Sequence, residues 1–438
     1  MKAIAQELEP IVGESAIYNW ENLKPVWQKR ITSVNAPENF PSSIVYPKTT
    51  EELKSVMSCA YTNNWRVFPC GSSSKLGWGG VGNKVDIVVS TERLNRVIEH
   101  AVGDLTVTVE AGVKFAHLQD ILLKTSQFLP LEPAYPQEAT LGGIIATADS
   151  GSLRHRYGGV RDMLLGISFV RSDGQIAKAG GRVVKNVAGY DLMKLFTGSY
   201  GTLGILTEVT LRVYPVPEAA GTVVLIGEAE ALASATKTLL ASALTPTAVD
   251  LLSTQLVTQL GLGQSMGLMV RFQSVTPSVS EQSSRLLEVG QKLGLKGTLY
   301  TDTDESQLWQ SLSEQIWSTP HQPTITCKIG VLPTAAVTTL TQLDTLTSPP
   351  GLGLIHAGSG LGLLRLDPST VTSHTIMELR RHCQAQNGFL TVLEAPISLK
   401  QQLDVWGYNG NALNLMRQIK QQFDPKNLLS PHRFVGGI

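Results

Sequence analysis

Residues 139–162 read ATLGGIIATADSGSLRHRYGGVRD. Thr140, Gly142, Gly143, Ala146, Thr147, Ser150, Gly151, Gly158 and Gly159 supply a run of small side chains. Such a surface lets a long, flat ligand lie close to the main chain. Arg161 and Asp162 follow, and then MLLGISFV, the turn SDG and QIAKAG, which read as a hairpin.

A second run of small residues lies upstream in RVFPCGSSSKLGWGG (66–80). Arg66 to Pro69 read as a short strand that enters Gly71, Ser72, Ser73 and Ser74 directly. Backbone N–H groups in such a turn can face a ligand's oxygens, and the serine hydroxyls add donors. The GxxxxGK[ST] spacing of a Walker loop is absent. Two readings of this loop stand at this point, a phosphate cradle and a surface turn. Before it, TTEELKSVMSCAY predicts a helix with Thr49 and Glu52 at capping-box spacing. Leu53, Val56, Met57, Ala60 and Tyr61 fall on one face of it. KVDIVVS and LTVTVEAGV read as half-buried strands, with Leu105, Val107 and Val109 on one face of the second. GSYGTLGIL is a tight turn entering a strand.

The 438 residues exceed the usual length of one domain. Lys plus Arg and Asp plus Glu number 36 each, so no global charge draws the chain to nucleic acid. Cys59, Cys70, Cys327 and Cys383 form no CxxC pair, which leaves no cysteine motif for an iron–sulfur cluster or a structural zinc. Scattered thiols suggest a reducing, cytoplasmic setting. Glu7 and Glu9 interrupt what would be a signal core, and no run of 18 apolar residues offers a transmembrane segment. Attachment to a membrane through partners stays open.

Three motifs in order, PCGSSSKL (69–76), ATLGGIIATADSGSLRHRYGGVRD (139–162) and KNVAGYDLMKLFTGSYGTLGILTEV (185–209), resemble the FAD-linked oxidase superfamily. Its FAD-binding domain is of the vanillyl-alcohol oxidase and p-cresol methylhydroxylase type. FDPKNLLSPHRF (423–434) resembles that family's closing motif, in which the chain end returns to the flavin domain. The resemblance implies an α+β fold, with a two-lobed FAD-binding domain and an α/β cap domain. It divides the chain into an N-terminal segment (1–39), the FAD-binding domain (40–216), the cap (217–400) and a returning segment (401–438).

The resemblance also implies which residues hold the cofactor. Pro69, Gly71, Ser72, Ser73, Ser74, Lys75 and Leu76 would hold the flavin diphosphate. The region from Pro136 through Thr140, Leu141, Gly142, Gly143, Ala146 and Thr147 would share it, with Gly151 and Arg161 beyond. Gly201, Thr202, Gly204 and Ile205 would approach the flavin through their backbone. The phosphate loop has no histidine, which implies non-covalent FAD, and Cys70 reads as a packed thiol. Gly358, Gly360 and Gly362 do not form a dinucleotide fingerprint.

Segments such as TVVLIG, EAEALASATKTLLAS and GLMVRF alternate strand and helix, which predicts a cap sheet with helices on one face. In the D-lactate and glycolate dehydrogenase branch, the cap carries a loop of the form HxGDGNxH that serves a metal or the hydroxy acid. Here residues 356–363 read HAGSGLGL. Ser359, Leu361 and Leu363 replace the acid, the amide and the second imidazole. One imidazole with no neighbouring carboxylate is too small a ligand set, so no metal is expected. His356 is the weak candidate for catalysis, and the structural reading of it outweighs the catalytic one. Lys185, Asn186, Tyr190 and Asp191 read equally as ligand contacts or as helix-fixing residues. His155 and Arg161 read as phosphate contacts or as exposed ion pairs, and His432 as a surface or packed residue.

The resemblance is strongest to the smaller FAD-binding subunit of glycolate oxidase. It implies oxidation of a small 2-hydroxy acid, glycolate to glyoxylate, by hydride transfer to flavin while a base removes the hydroxyl proton. The implied partners are a paralogous FAD-containing catalytic subunit and an iron–sulfur subunit. A self-sufficient D-lactate-type dehydrogenase and a non-catalytic scaffold subunit remain as alternatives.

Overall fold

The computed structural model describes residues 2–23, 25–32, 40–82, 84–182, 189–317 and 324–438. The chain folds into two compact units. The first comprises residues 1–150, 159–215 and 408–438, and the second residues 151–158 and 216–407.

The first unit begins from the helix the sequence predicts. Thr49 Oγ1 accepts from Glu52 N at 3.1 Å, and the helix Thr50–Asn63 ends at Asn64 in the left-handed region. The Glu52 carboxylate accepts from Lys48 N rather than from Thr49 N, so the capping box closes one residue early. Leu53, Val56, Met57 and Ala60 are buried against Val45, Val67, Ile87 and Val89. Each of the larger side chains contributes about 1.5–3 kcal/mol. Leu53→Ala, at a fully buried position, would cost about 2–5 kcal/mol.

That helix connects two strands that both run parallel to a third. Ser43–Val45 and Val67–Cys70 flank Ile87–Ser90, and Ile17–Asn19 adds antiparallel at one edge. This is the first lobe. The second is an antiparallel sheet in the order Val97–Ala101, Thr106–Glu110, Ile205–Arg212, Leu164–Val170, Ile176–Gly180. The expected hairpin is Leu164–Val170 with Ile176–Gly180, turning through Gly174 at φ +84°. The strand Thr106–Glu110 departs from expectation. All five residues are buried, the threonines as well as the valines, because Thr108 Oγ1 pairs with Thr210 Oγ1 across the ladder. Leu105 sits before this strand at φ +54° and is not one of its inward residues.

The C-terminal segment completes this unit. Leu429 bridges Val67, and Val67 N donates to Leu428 O at 2.8 Å. Lys420 is buried and donates to Thr202 O, Leu429 O and the Asp424 carboxylate. Leu8, Val12, Leu23 and Ile31 of the N-terminal segment are also core residues.

The second unit is built on an eight-stranded sheet. Its order is Lys296–Thr301, Ala219–Gly227, Met266–Ser274, Ala248–Leu252, Leu352–His356, Leu361–Leu366, Ile325–Gly330, Phe389–Glu394. Every pairing is antiparallel. The helices cover both faces, not the one face expected. Val223 and Leu225 pack with Leu232 and Leu239 of the helix Ala229–Leu240. Val224, on the opposite face, packs with Leu308 and Leu312 of the helix Asp302–Trp317. Period-2 alternation with both sets apolar is what a sheet covered on both sides requires.

Candidate functional site

Three small-residue runs of the first unit meet in one open cleft of about 840 Å³. From the first run it is lined by Pro69, Gly71, Ser72, Ser73, Ser74, Lys75 and Leu76. From the second come Thr140, Gly142, Gly143, Ala146 and Thr147, and from the third Gly201, Gly204 and Ile205. Five other expected contacts are not in its lining. Pro136, Leu141 and Thr202 lie beside it in sequence, and Leu141 and Thr202 are buried. Arg161 is exposed on the short helix Val160–Met163. Gly151 groups with the second unit. Lys185 and Asn186 lie outside the described residues. Tyr190 is exposed, and Asp191 pairs with Lys194 at 3.0 Å on the surface. His432 is exposed.

Close approach, not flexibility, explains Gly71. A Cβ there would stand 2.0 Å from Thr140 Oγ1, so only glycine lets the two runs touch. The same Thr140 Oγ1 accepts from Gly143 N at 3.3 Å and caps the helix Leu141–Thr147. Ser73 adopts φ +66°, the left-handed turn that brings successive N–H groups toward a concavity. Among the described residues, the N–H groups of Ser72, Ser73, Ser74 and Lys75 meet no protein acceptor. One of the three serine hydroxyls is not the free donor expected, and a second is held as an acceptor. Ser72 Oγ donates to Glu138 O at 2.5 Å, and Ser73 Oγ accepts from Arg30 at 2.9 Å.

Buried charge surrounds this loop. The Lys75 ammonium is 2.6 Å from the Asp149 carboxylate; burial pulls its pKa down and Asp149 holds it up. Asp149 also accepts from Ala134 N at 2.8 Å. Arg433, 3% exposed, donates to the carbonyls of Leu76, Trp78 and Gly80 and lies over the Phe68 ring. Burial lowers its pKa to about 9, against the pull of Tyr200. Burial raises the Tyr200 phenol, with Asp149 adding to it. Cys70 lines the cleft, and burial pushes its thiol well above the ordinary value, with Glu92 adding to it.

Sequence reasoning missed Phe68, Trp78, Thr91, Ser199, Tyr200, Leu206 and Arg433 in this lining. The PHRF tail was the one available signal for Arg433. Its partners are backbone carbonyls about 350 residues away, which no local pattern encodes.

The cleft suits FAD. N–H groups that meet no acceptor among the described residues, and a buried cation, offer the kind of donors a pyrophosphate takes, and glycines leave room for a planar ring near the backbone. Beside Gly201, the buried Ser430 Oγ has no partner among the described residues. Residues 41–180 match the FAD binding domain family, and residues 405–434 match the C-terminal domain of FAD linked oxidases. The protein is an FAD-dependent oxidoreductase.

This flavoprotein is 25% identical over 472 residues to D-lactate dehydrogenase [cytochrome], mitochondrial, of Arabidopsis thaliana, covering 99% of this chain and 80% of that one. It is 25% identical to glycolate oxidase subunit GlcD of Bacillus subtilis, covering 90% and 89%. It is 39% identical to glycolate oxidase subunit GlcE of Escherichia coli over 153 residues, 34% of this chain and 42% of that one. Its fold is that of p-cresol methylhydroxylase, with a TM-score of 0.77 at 14% identity over 99% of this chain and 96% of that one.

The second unit of the flavoprotein holds a separate polar cluster. His356 ends the strand Leu352–His356, in register with Asp250 of the strand Ala248–Leu252. Asp250 is fully buried. Its Oδ1 is 2.7 Å from His356 Nδ1, and its Oδ2 accepts from Ser152 Oγ at 2.5 Å. The expectation of a lone imidazole without a carboxylate is therefore wrong. The acid comes from a strand 106 residues earlier in the chain. His155 joins this cluster and, among the described residues, makes no exposed ion pair. Burial and the nearby His356 lower its pKa, and Asp250 opposes them. Gly358 fits the cluster because a Cβ there would stand 2.5 Å from His155 Nδ1. Among the described residues, no group of three or more His, Cys, Asp or Glu could hold a metal, and no helix is long and apolar enough to cross a membrane.

Proposed function

We propose that this chain is the FAD-binding subunit of a glycolate oxidase-type complex that oxidises a small 2-hydroxy acid, glycolate to glyoxylate. FAD, held without a covalent bond, supplies the two-electron acceptor. The N–H groups of Ser72 to Lys75 bind its diphosphate, with Lys75 as the nearby cation. Backbone at Gly201, Gly204 and Ile205 orients its ring. The observation that carries this reading is the convergence of the three small-residue runs on one cleft. The likeness to GlcD and GlcE over different shares of the chain supports the acid and the subunit role. The sequence has no cysteine motif for a cluster, so an iron–sulfur partner and a paralogous flavin subunit would take the electrons on.

A second reading rests on the Asp250–His356 pair. A carboxylate accepting from Nδ1–H orients the imidazole and leaves the Nε2 lone pair free, the arrangement of a general base for a substrate hydroxyl. On that reading the chain is a self-sufficient dehydrogenase for D-lactate or a related acid. Anaerobic mixing of the purified, FAD-loaded chain with glycolate and with D-lactate separates the two. No bleaching by the chain alone, with bleaching on addition of the paralogous subunit, is expected. Rapid bleaching alone overturns the subunit reading. His356→Ala then changes activity of the complex by no more than a few-fold, whereas removing a general base would cost about a hundredfold.

A further inference from the structure

We propose that Arg30 is a positioning residue of the cofactor site, which sets the direction of the Ser72–Ser73 peptide and so aims the Ser73 N–H at the FAD diphosphate. The proposal rests on the assignment of the diphosphate to the 71–76 loop.

Arg30 lies on the helix Pro25–Thr32, ahead of the region that matches the FAD binding domain family. Ile31, fully buried beside Phe68, Leu76 and Val88, fixes that helix against the first lobe. The Arg30 guanidinium reaches Ser72, Ser73 and Glu138. Nη1 donates to Ser72 O at 3.0 Å and to Ser73 Oγ at 2.9 Å, and Nη2 donates to Glu138 Oε2 at 2.6 Å. Ser72 Oγ donates in turn to Glu138 O. The N-terminal helix, the phosphate loop and the residues leading to Thr140 are closed into one triangle.

A trans peptide carries its C=O and N–H on opposite sides. Holding Ser72 O toward Arg30 therefore turns the Ser73 N–H the other way. Ser72 and Ser73 both line the cleft, and this N–H meets no protein acceptor among the described residues. Without Arg30 the peptide is free to flip, and a flipped peptide would present a carbonyl oxygen to an anion. The pair itself is half open to solvent, with side-chain exposures of 27% and 43%, so it adds little to global stability. Its effect is expected on the ligand and not on the fold.

The test compares FAD with riboflavin, which lacks the phosphates, in titrations of the apo-protein. Arg30→Gln is expected to weaken FAD about tenfold, the worth of one strong hydrogen bond. Riboflavin affinity and the melting temperature of the apo-protein should stay at the wild-type values. FAD affinity within twofold of wild type overturns the proposal, as does an equal loss for FAD and riboflavin. If Arg30→Gln does not fold, Glu138→Gln carries the test, because it removes the ion pair that holds the guanidinium on Ser72 O. A loss of about two- to fivefold for FAD alone is then expected, and an unchanged FAD affinity overturns the proposal. If wild-type protein binds riboflavin as tightly as FAD, it is the assignment of the diphosphate to this loop that fails.

Discussion

Asp250 holds His356 Nδ1 at 2.7 Å with one carboxylate oxygen and the Ser152 hydroxyl at 2.5 Å with the other. A fully buried carboxylate with both oxygens engaged is stable only while both partners remain. Asp250→Ala leaves a buried hydroxyl and a buried ring nitrogen unsatisfied. It should destabilise the second unit by about 2–4 kcal/mol. Urea unfolding followed by tryptophan fluorescence checks this, and a change under about 0.5 kcal/mol would show the cluster to be solvated.

Gly71 and Thr140 make the close contact between two of the runs that line the proposed cofactor cleft. Gly71→Ala drives a methyl group to 2.0 Å from Thr140 Oγ1 and must push the two runs apart. The overpacking cost is about 1–3 kcal/mol, and it should appear mainly as lost FAD on gel filtration. Thr140→Ala in the same chain removes the nearest atoms and should recover part of the flavin content. No recovery would mean that the loop, not the contact, is disturbed.

Arg433 is a buried cation serving three carbonyls from the end of the chain. Arg433→Met keeps much of the volume and leaves the carbonyls of Leu76, Trp78 and Gly80 without that donor. Destabilisation of about 3 kcal/mol or more is expected, together with reduced FAD retention. A melt indistinguishable from wild type would exclude this role.

Two histidines set a pH dependence. His155 and His382 both lie below the ordinary histidine value of 6.5, each chiefly through burial. The unfolded chain therefore takes up protons first as pH falls, and stability is lost below about 6.5. Above that pH neither group contributes a slope. Thermal melts from pH 8 to 5 should show the fall, and His155→Asn should make it shallower. A melting temperature that rises between pH 6.5 and 5.5 would contradict the assignment.

Burial holds the Cys70 thiol protonated at neutral pH, and the phosphate loop contains no histidine. Non-covalent FAD should leave the protein completely on acid precipitation, with the yellow colour in the supernatant. Flavin retained in the pellet would point to a covalent link.

Much of the lining of this cleft was legible because small residues in runs and strand-to-turn transitions are local features. Gly71, Ser72, Gly142 and Gly201 could be named from such runs together with the family resemblance. The hydroxyl of Ser72 was misjudged as a free donor because its partner, the Glu138 carbonyl, is distant in sequence, as is the Arg30 that holds Ser73 Oγ. Thr106 and Thr108 read as outward residues because alternation cannot report that both faces of a strand are covered.

By itself the sequence determined the helix Thr50–Asn63, the hairpin at 164–180, the glycine turns and the family that these motifs resemble. Each depends on residues within one or two turns of each other. Tertiary structure alone decided which distant groups complete each site. Asp250 reaches His356 through strand register, Arg433 reaches Leu76, Trp78 and Gly80 through chain return, and Arg30 reaches Ser72 through a helix anchored by the buried Ile31. Buried polar atoms must find partners wherever the packed chain brings them, and sequence distance places no limit on that search.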